Sequence, residues 1–112
     1  MKVYTSVNDQ VLTVTVDGEI NTLTTPILSK EVEDLSGIRK LIFELEKVPY
    51  VSSAGLRLFL SCQRTMNATH GDMRILNCNE FLTEIFVSVG YDRIMKLERT
   101  NQANETGSGA EQ

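Results

Sequence analysis

Apolar and polar residues change their period several times along the chain, and each change predicts an element. Val11 to Val16 alternates, with Leu12, Val14 and Val16 on one side and Val11, Thr13 and Thr15 on the other. A period of two predicts a strand with one drier face. Residues 2–7 (KVYTSV) suit a short edge strand before it, and Asn8-Asp9-Gln10 the intervening turn. In Lys40–Leu45 the residues Leu41, Ile42 and Phe43 are consecutive, which predicts a strand covered on both faces. This strand ends before Pro49, which has no N–H to give to a ladder. Met73–Leu76 reads as a fourth strand and Ile94–Leu97 as a short last element, strand or helical turn.

Between these runs the period lengthens. A first helix starts near Thr25, a candidate cap, with Pro26 at its first position; it carries Leu28, Val32 and Leu35 on one side and stops at Gly37. The longest helix covers about Ser53 to Thr69. Its broad apolar face holds Leu56, Phe59, Leu60, Gln63 and Met66, widened by Leu58 and Cys62, and His70-Gly71-Asp72 ends it. Asn79 is placed to cap a third helix, Glu80–Val89, with Phe81, Ile85 and Val89 inward and Gly90 at its end. From Thr100 to Gln112 there is no Ile, Leu, Val, Phe or Met. Such a segment cannot offset its ordering entropy, so residues 1–99 are expected to form one domain and 100–112 a disordered polar tail.

Strand alternating with helix implies an α/β fold with right-handed crossovers, here a single domain with a mixed sheet of four to five strands and helices packed on it. Partners of such a sheet meet the carboxyl ends of its strands. If the second and third strands run parallel, the loops Asp17–Thr25 and Val48–Ser53 share that rim.

The charge narrows the chemistry. A formal net charge of −4 argues against nucleic acid, which calls for a basic patch. No polybasic segment suits an anionic membrane, and no run approaches the ~20 apolar residues of a spanning helix. A soluble, cytoplasmic protein is expected, without direct membrane insertion, and a monomer. Cys62 and Cys78 lie in no CxxC pair and read as two buried thiols. No HxxxH, HExxH or GxxxxGK[ST] is present, so no metal, cofactor or phosphate-cradling loop is expected. Glu44 and Glu46 share a strand face and read as a solvent-side pair.

Tyr50-Val51-Ser52-Ser53-Ala54-Gly55-Leu56 puts two serines at a strand-to-helix junction. Either can cap the helix, a contribution of about 1 kcal/mol. A nucleophile needs a base within hydrogen-bond reach, and the motif lacks the first glycine of a GxSxG elbow. The lone histidine, His70, would lie roughly 25 Å from Ser53 along one continuous helix. The third possibility is phosphorylation. A phosphoryl group adds about −1.5 to −2 charges, and a helix N-terminus tolerates them. The small neutral patch of Ser53, Ala54 and Leu56 would then become bulky and anionic, at the expense of any partner that buries it.

Val51 to Leu60 (VSSAGLRLFL), following Leu41-Ile42-Phe43-Glu44-Leu45, resembles the signature of STAS domains, and specifically of bacterial anti-sigma factor antagonists. Val16-Asp17-Gly18-Glu19-Ile20-Asn21 is similar to that family's Gly-Glu-Leu-Asp motif. Phe81-Leu82 through Val89-Gly90-Tyr91-Asp92-Arg93-Ile94 is similar to its late helix and exit. The resemblance covers about residues 2–97. It implies a STAS-like domain and a regulatory, non-enzymatic role in transcription. In that role the unphosphorylated protein binds an anti-sigma factor that is also a serine kinase, and so frees a sigma factor. The kinase phosphorylates the serine two places before the motif glycine, here Ser53, with Ser52 as the alternative acceptor, and a PP2C-type phosphatase reverses this. The implied partner-binding residues are Gly18, Glu19, Asn21, Ser52, Ser53, Ala54, Gly55, Leu56 and Arg57. The chain departs from the pattern at Ser52, where the family often has Asp, at Ala54, where many members have Ser or Thr, and at Asn21, where the motif has Asp. Two other functions stay open beside this one. A STAS module without phosphorylation would serve as a scaffold or as a subunit of a signalling or lipid-transport complex. A small α/β enzyme would require a base beside Ser53.

Overall fold

The computed structural model describes residues 1–100. The strands are β1 (Lys2–Asn8), β2 (Val11–Asp17), β3 (Lys40–Lys47), β4 (Asp72–Leu76) and β5 (Lys96–Glu98). The helices are α1 (Thr25–Glu31), α2 (Ser53–Ala68) and α3 (Glu80–Ser88), and a single 3-10 turn, Tyr91–Arg93, leads into β5. The strands lie side by side in chain order, β1-β2-β3-β4-β5. β1 and β2 form an antiparallel hairpin, and the remaining pairs are parallel. The mixed five-stranded sheet agrees with the sequence reading, including the parallel course of the second and third strands.

Each crossover moves one strand in the same direction. Right-handed connections therefore put α1, α2 and α3 on one face of the sheet. This corrects the expectation that β3 is covered on both sides. Leu41, Phe43 and Leu45 are buried, but Ile42 and Glu44, on the other face, are only half-buried. The same alternation runs through β2 and β4. Glu44 lies on this open face; its carboxylate accepts from the Glu46 backbone N–H at 3.0 Å and from Asn77 Nδ2 at 2.9 Å.

The core lies between the sheet and the helices. Phe59 of α2 meets Phe43 of β3 edge-on at 4.9 Å between ring centroids and Phe86 of α3 at 5.8 Å. These three buried rings fix α2 over the sheet centre, and such pairs contribute about 0.5–1.5 kcal/mol each beyond area burial. Phe86 also stacks on Tyr91, whose hydroxyl donates to the Leu56 carbonyl at 3.1 Å. The start of α2 is thus tied to the segment after α3.

Two helices differ from expectation. α1 ends at Glu31 with Val32 as its C-cap, so Leu35 lies beyond it, half-buried against the core. Its N-cap position is Thr24 rather than Thr25. In α3 the buried residues are Leu82 and Phe86, with Ile85 half-buried, whereas Phe81 and Val89 are exposed. The Asn79 side chain, accepting from the Leu82 N–H at 2.7 Å, sets the phase of the first turn and turns Phe81 outward. The expected polar tail lies outside the described residues except for Thr100, whose N–H donates to Asn77 Oδ1 at 3.0 Å.

Candidate functional site

The two loops singled out in the sequence meet at the carboxyl ends of β2 and β3. Gly18 leaves β2 with φ +120°, a conformation that glycine adopts without strain, and its N–H donates to the Lys47 carbonyl at 3.0 Å. Pairing then continues past the strands. The Ile20 N–H donates to the Tyr50 carbonyl at 2.9 Å and the Ser52 N–H to the Ile20 carbonyl at 2.8 Å, forming a parallel bridge between Ile20 and Val51. Ile20 and Val51 are both buried, so their side chains peg the joined loops into the core.

Asn21 organises the outer loop. Its Oδ1 accepts from the N–H groups of Leu23 (2.9 Å) and Thr24 (3.0 Å), while its Nδ2 donates to Glu19 Oε1 at 2.8 Å. The aspartate of the motif offers the first two bonds but cannot donate the third. Asn21 therefore restrains the Glu19 carboxylate within its own loop. Thr24 closes the turn, its hydroxyl donating to the Glu19 carbonyl at 2.7 Å.

The serines divide the work at the start of α2. Ser52 is the N-cap, with extended backbone, and its Oγ accepts from the Gly55 N–H at 3.3 Å. Ser53 is the first helical residue, exposed, and its hydroxyl has no hydrogen-bond partner among the described residues. Ala54 and Leu56 are half-buried beside it and Arg57 is exposed. Gly55 sits where α2 crosses the joined loops. A Cβ there would lie 2.7 Å from Ile20 Cγ2 and 2.8 Å from Val51 Cγ1, closer than side chains pack, so the helix start seats on the loops only without one. The predicted site residues Gly18, Glu19, Asn21, Ser52, Ser53, Ala54, Gly55, Leu56 and Arg57 thus belong to two loops joined by backbone hydrogen bonds and to the start of α2.

Four further residues border this rim. Asn79, besides capping α3, donates through Nδ2 to the Val48 carbonyl at 3.4 Å, linking the third loop to the serine loop. Tyr50 stacks on Phe81, with ring centroids 6.4 Å apart and planes at 25°, though both rings are exposed. Leu23, 85% exposed, projects from the loop that Asn21 shapes. The sequence does carry a signal for Phe81, because a cap at Asn79 and the four-residue spacing of Leu82 and Phe86 leave it outward. No sequence signal joins Tyr50 to Phe81, which meet only through the sheet.

Among the described residues no general base stands within hydrogen-bond reach of Ser53 Oγ. α2 is one unbroken helix, so His70 lies past its far end, about 25 Å from Ser53. The thiols are equally inert. Burial pushes Cys62 and Cys78 each up to about 12, the latter against an opposing influence from Arg99, so neither is a thiolate at neutral pH. Among the described residues no helix is long and apolar enough to cross a membrane. What remains is a rim on which the Ser53 hydroxyl stands free beside the small and apolar side chains of Ala54 and Leu56.

The chain resembles known proteins in sequence and in fold. The chain is 27% identical over 99 residues to the anti-sigma-B factor antagonist of Staphylococcus aureus, covering 87% of this chain and 92% of that protein. In fold it resembles a Thermotoga maritima protein proposed as an anti-sigma factor antagonist, with a TM-score of 0.82 at 21% identity over 88% of this chain and 86% of the other. It also resembles the Bacillus cell fate determinant SpoIIAA in its phosphorylated form, with a TM-score of 0.74 at 15% identity over 90% and 93% of the two chains. The STAS domain model matches residues 2–104, which takes in every strand, every helix and both rim loops, and on that match the chain belongs to the STAS domain family.

Proposed function

We propose that this protein is an anti-sigma factor antagonist, switched by phosphorylation of Ser53. Unphosphorylated, its rim binds an anti-sigma factor that is also a serine kinase, and a sigma factor is released. The kinase transfers a phosphoryl group from a nucleoside triphosphate to Ser53 Oγ; the new O–P bond replaces the one to the departing diphosphate, and the hydroxyl proton is lost. Binding then fails, and a PP2C-type phosphatase restores it by hydrolysis. The protein acts by binding and not as an enzyme, and the cycle runs in the cytoplasm, where the triphosphate is available.

The observation that carries this reading is the division between the two serines. Ser52 Oγ is engaged as the helix cap, whereas Ser53 Oγ is exposed and free. The same inequality favours Ser53 over Ser52 as the acceptor in this reading. A phosphate on Ser53 faces the open N–H groups of the first turn of α2, so the fold accommodates it. A partner seated on Ala54 and Leu56 would instead have to bury an uncompensated dianion. The names of the relatives lend support: the Staphylococcus protein is named for antagonism of an anti-sigma factor, and SpoIIAA is described in phosphorylated and unphosphorylated forms.

The test is a pull-down from the native cell with Ser53→Ala and Ser53→Glu baits, partners being identified by mass spectrometry. A kinase-like anti-sigma factor retained by the alanine bait alone is the expected result. Equal retention of the same partners by both baits would sink the switch, and a transporter ATPase among them would assign the chain to a phosphorylation-independent complex.

A further inference from the structure

We propose that Arg57 is the resident counter-charge for a phosphoryl group on Ser53. Phosphorylation then adds an anion to the rim and also withdraws the rim's cation from any docking partner. The inference rests on the reading of Ser53 as the phosphoacceptor and concerns what the phosphate does once it is there.

Placement is the first support. Ser53 opens α2 and Arg57 follows four residues later, so the two lie one above the other on the helix surface, and both are exposed. Residues at that spacing have Cβ atoms roughly 6 Å apart, within the reach of an arginine, and the order acid before base is the favourable one. Availability is the second. Arg74 is held by Asp72 and Glu98, and Arg99 by the Cys78 carbonyl. Arg57 has neither an ion pair nor a hydrogen bond among the described residues.

The third support is the charge of the rim. Segments 18–24, 48–57 and 77–83 contain one cationic side chain, Arg57, and two anionic ones, Glu19 and Glu80. Glu19 is already engaged by Asn21 Nδ2, and Glu80 lies at the start of another helix, α3. The first turn of α2 contains no acidic residue to compete for the guanidinium. A phosphoserine carries about −1.5 to −2 charges, and the planar guanidinium fork matches two of its oxygens. Before phosphorylation Arg57 is free to meet a carboxylate on a partner. Afterwards it is turned inward onto its own helix, and a partner loses the neutral patch and the cation together.

The experiment installs phosphoserine at position 53 of the full chain during translation, so that no kinase is needed, and follows the phosphate by 31P NMR through a pH titration at low ionic strength. Arg57→Ala and Arg57→Lys versions are titrated alongside, and unchanged melting of unphosphorylated Arg57→Ala shows that its fold is intact. Pairing favours the dianion. The second ionisation of the wild type should therefore occur at lower pH than in Arg57→Ala, by about 1.4- to 2.3-fold in the ionisation constant, with Arg57→Lys between. The difference should shrink near 1 M salt, where screening reaches ~3 Å. Coincident titrations of wild type and Arg57→Ala would overturn the proposal. The switch reading fails separately: a phosphorylated chain that still retains the partner of the unphosphorylated one sinks that reading and leaves the titration untouched.

Discussion

Ser52 and Ser53 are the same side chain one residue apart, and backbone conformation alone separates their roles. Extended backbone at Ser52 swings Oγ over the helix start to meet the Gly55 N–H, while Ser53, already helical, points its hydroxyl to solvent. Ser52→Ala should therefore cost about 1 kcal/mol of stability in urea unfolding. Ser53→Ala should leave the midpoint unchanged to within about 0.5 kcal/mol, as at other exposed sites. Equal losses would mean that the cap is shared. The motif residues and the junction they occupy were legible in the sequence, because Ser, Gly and Asn at element boundaries have few other uses. Which serine caps was not legible, since either residue satisfies the rule and a shift of one position decides. The bond from Asn21 to Glu19 was equally hidden, because it depends on the turn that Thr24 closes.

Among the elements, strands were the easier to read. The buried sets of β2 and β4 repeat every second residue, and only one register satisfies that pattern. In α3 and its C-cap the residues Phe81, Leu82, Ile85, Phe86, Val87 and Val89 are all apolar, so periodicity alone admits more than one inward face. Packing selects Leu82 and Phe86. Leu82→Ala should therefore cost roughly 2–5 kcal/mol, the range for emptying a buried leucine site. Phe81→Ala, at a ring 53% exposed, should cost well under half of that; comparison of the two denaturation midpoints checks the assignment. A larger loss at Phe81 would place the helix in the register first expected from the sequence.

For the molecule as a whole, the open face of the sheet carries the edge that closes it. Arg74 on β4 bonds Asp72 Oδ2 at 2.9 Å and Glu98 of β5 at 2.9 Å, and Lys96 of β5 reaches Asp72 Oδ1 at 2.8 Å. Partial burial pushes the Asp72 carboxyl up, but hydrogen bonds and charge from Lys96 and Arg74 together outweigh it and hold the group below the usual carboxylate value. A lowered folded value gives a contribution that is present above the unfolded value and lost as pH falls through the folded one. Amide exchange in Lys96–Glu98, corrected for its intrinsic pH dependence, should accordingly show protection lost first in β5 on acidification, while β2 and β3 stay protected. Asp72→Asn should show the same loss at neutral pH, and unchanged β5 protection would mean that backbone pairing alone holds the edge. That helices cover only one face was not legible from the apolar run in β3, because a half-buried Ile42 and a buried one read alike in sequence.

The strand order carries one more consequence. Because the sheet is laid down in the order of the chain, each new strand joins at the outer edge beside the one made just before it, and none has to be threaded between neighbours already paired. A chain emerging from the ribosome can add to a growing template from its first hairpin onward, with every closure spanning a single crossover. Most of the rim is made early on this route. Its two joined loops and the start of α2 are all synthesised before β4, and residues 77–83, which add Asn79 and Phe81 to its border, follow directly after that strand.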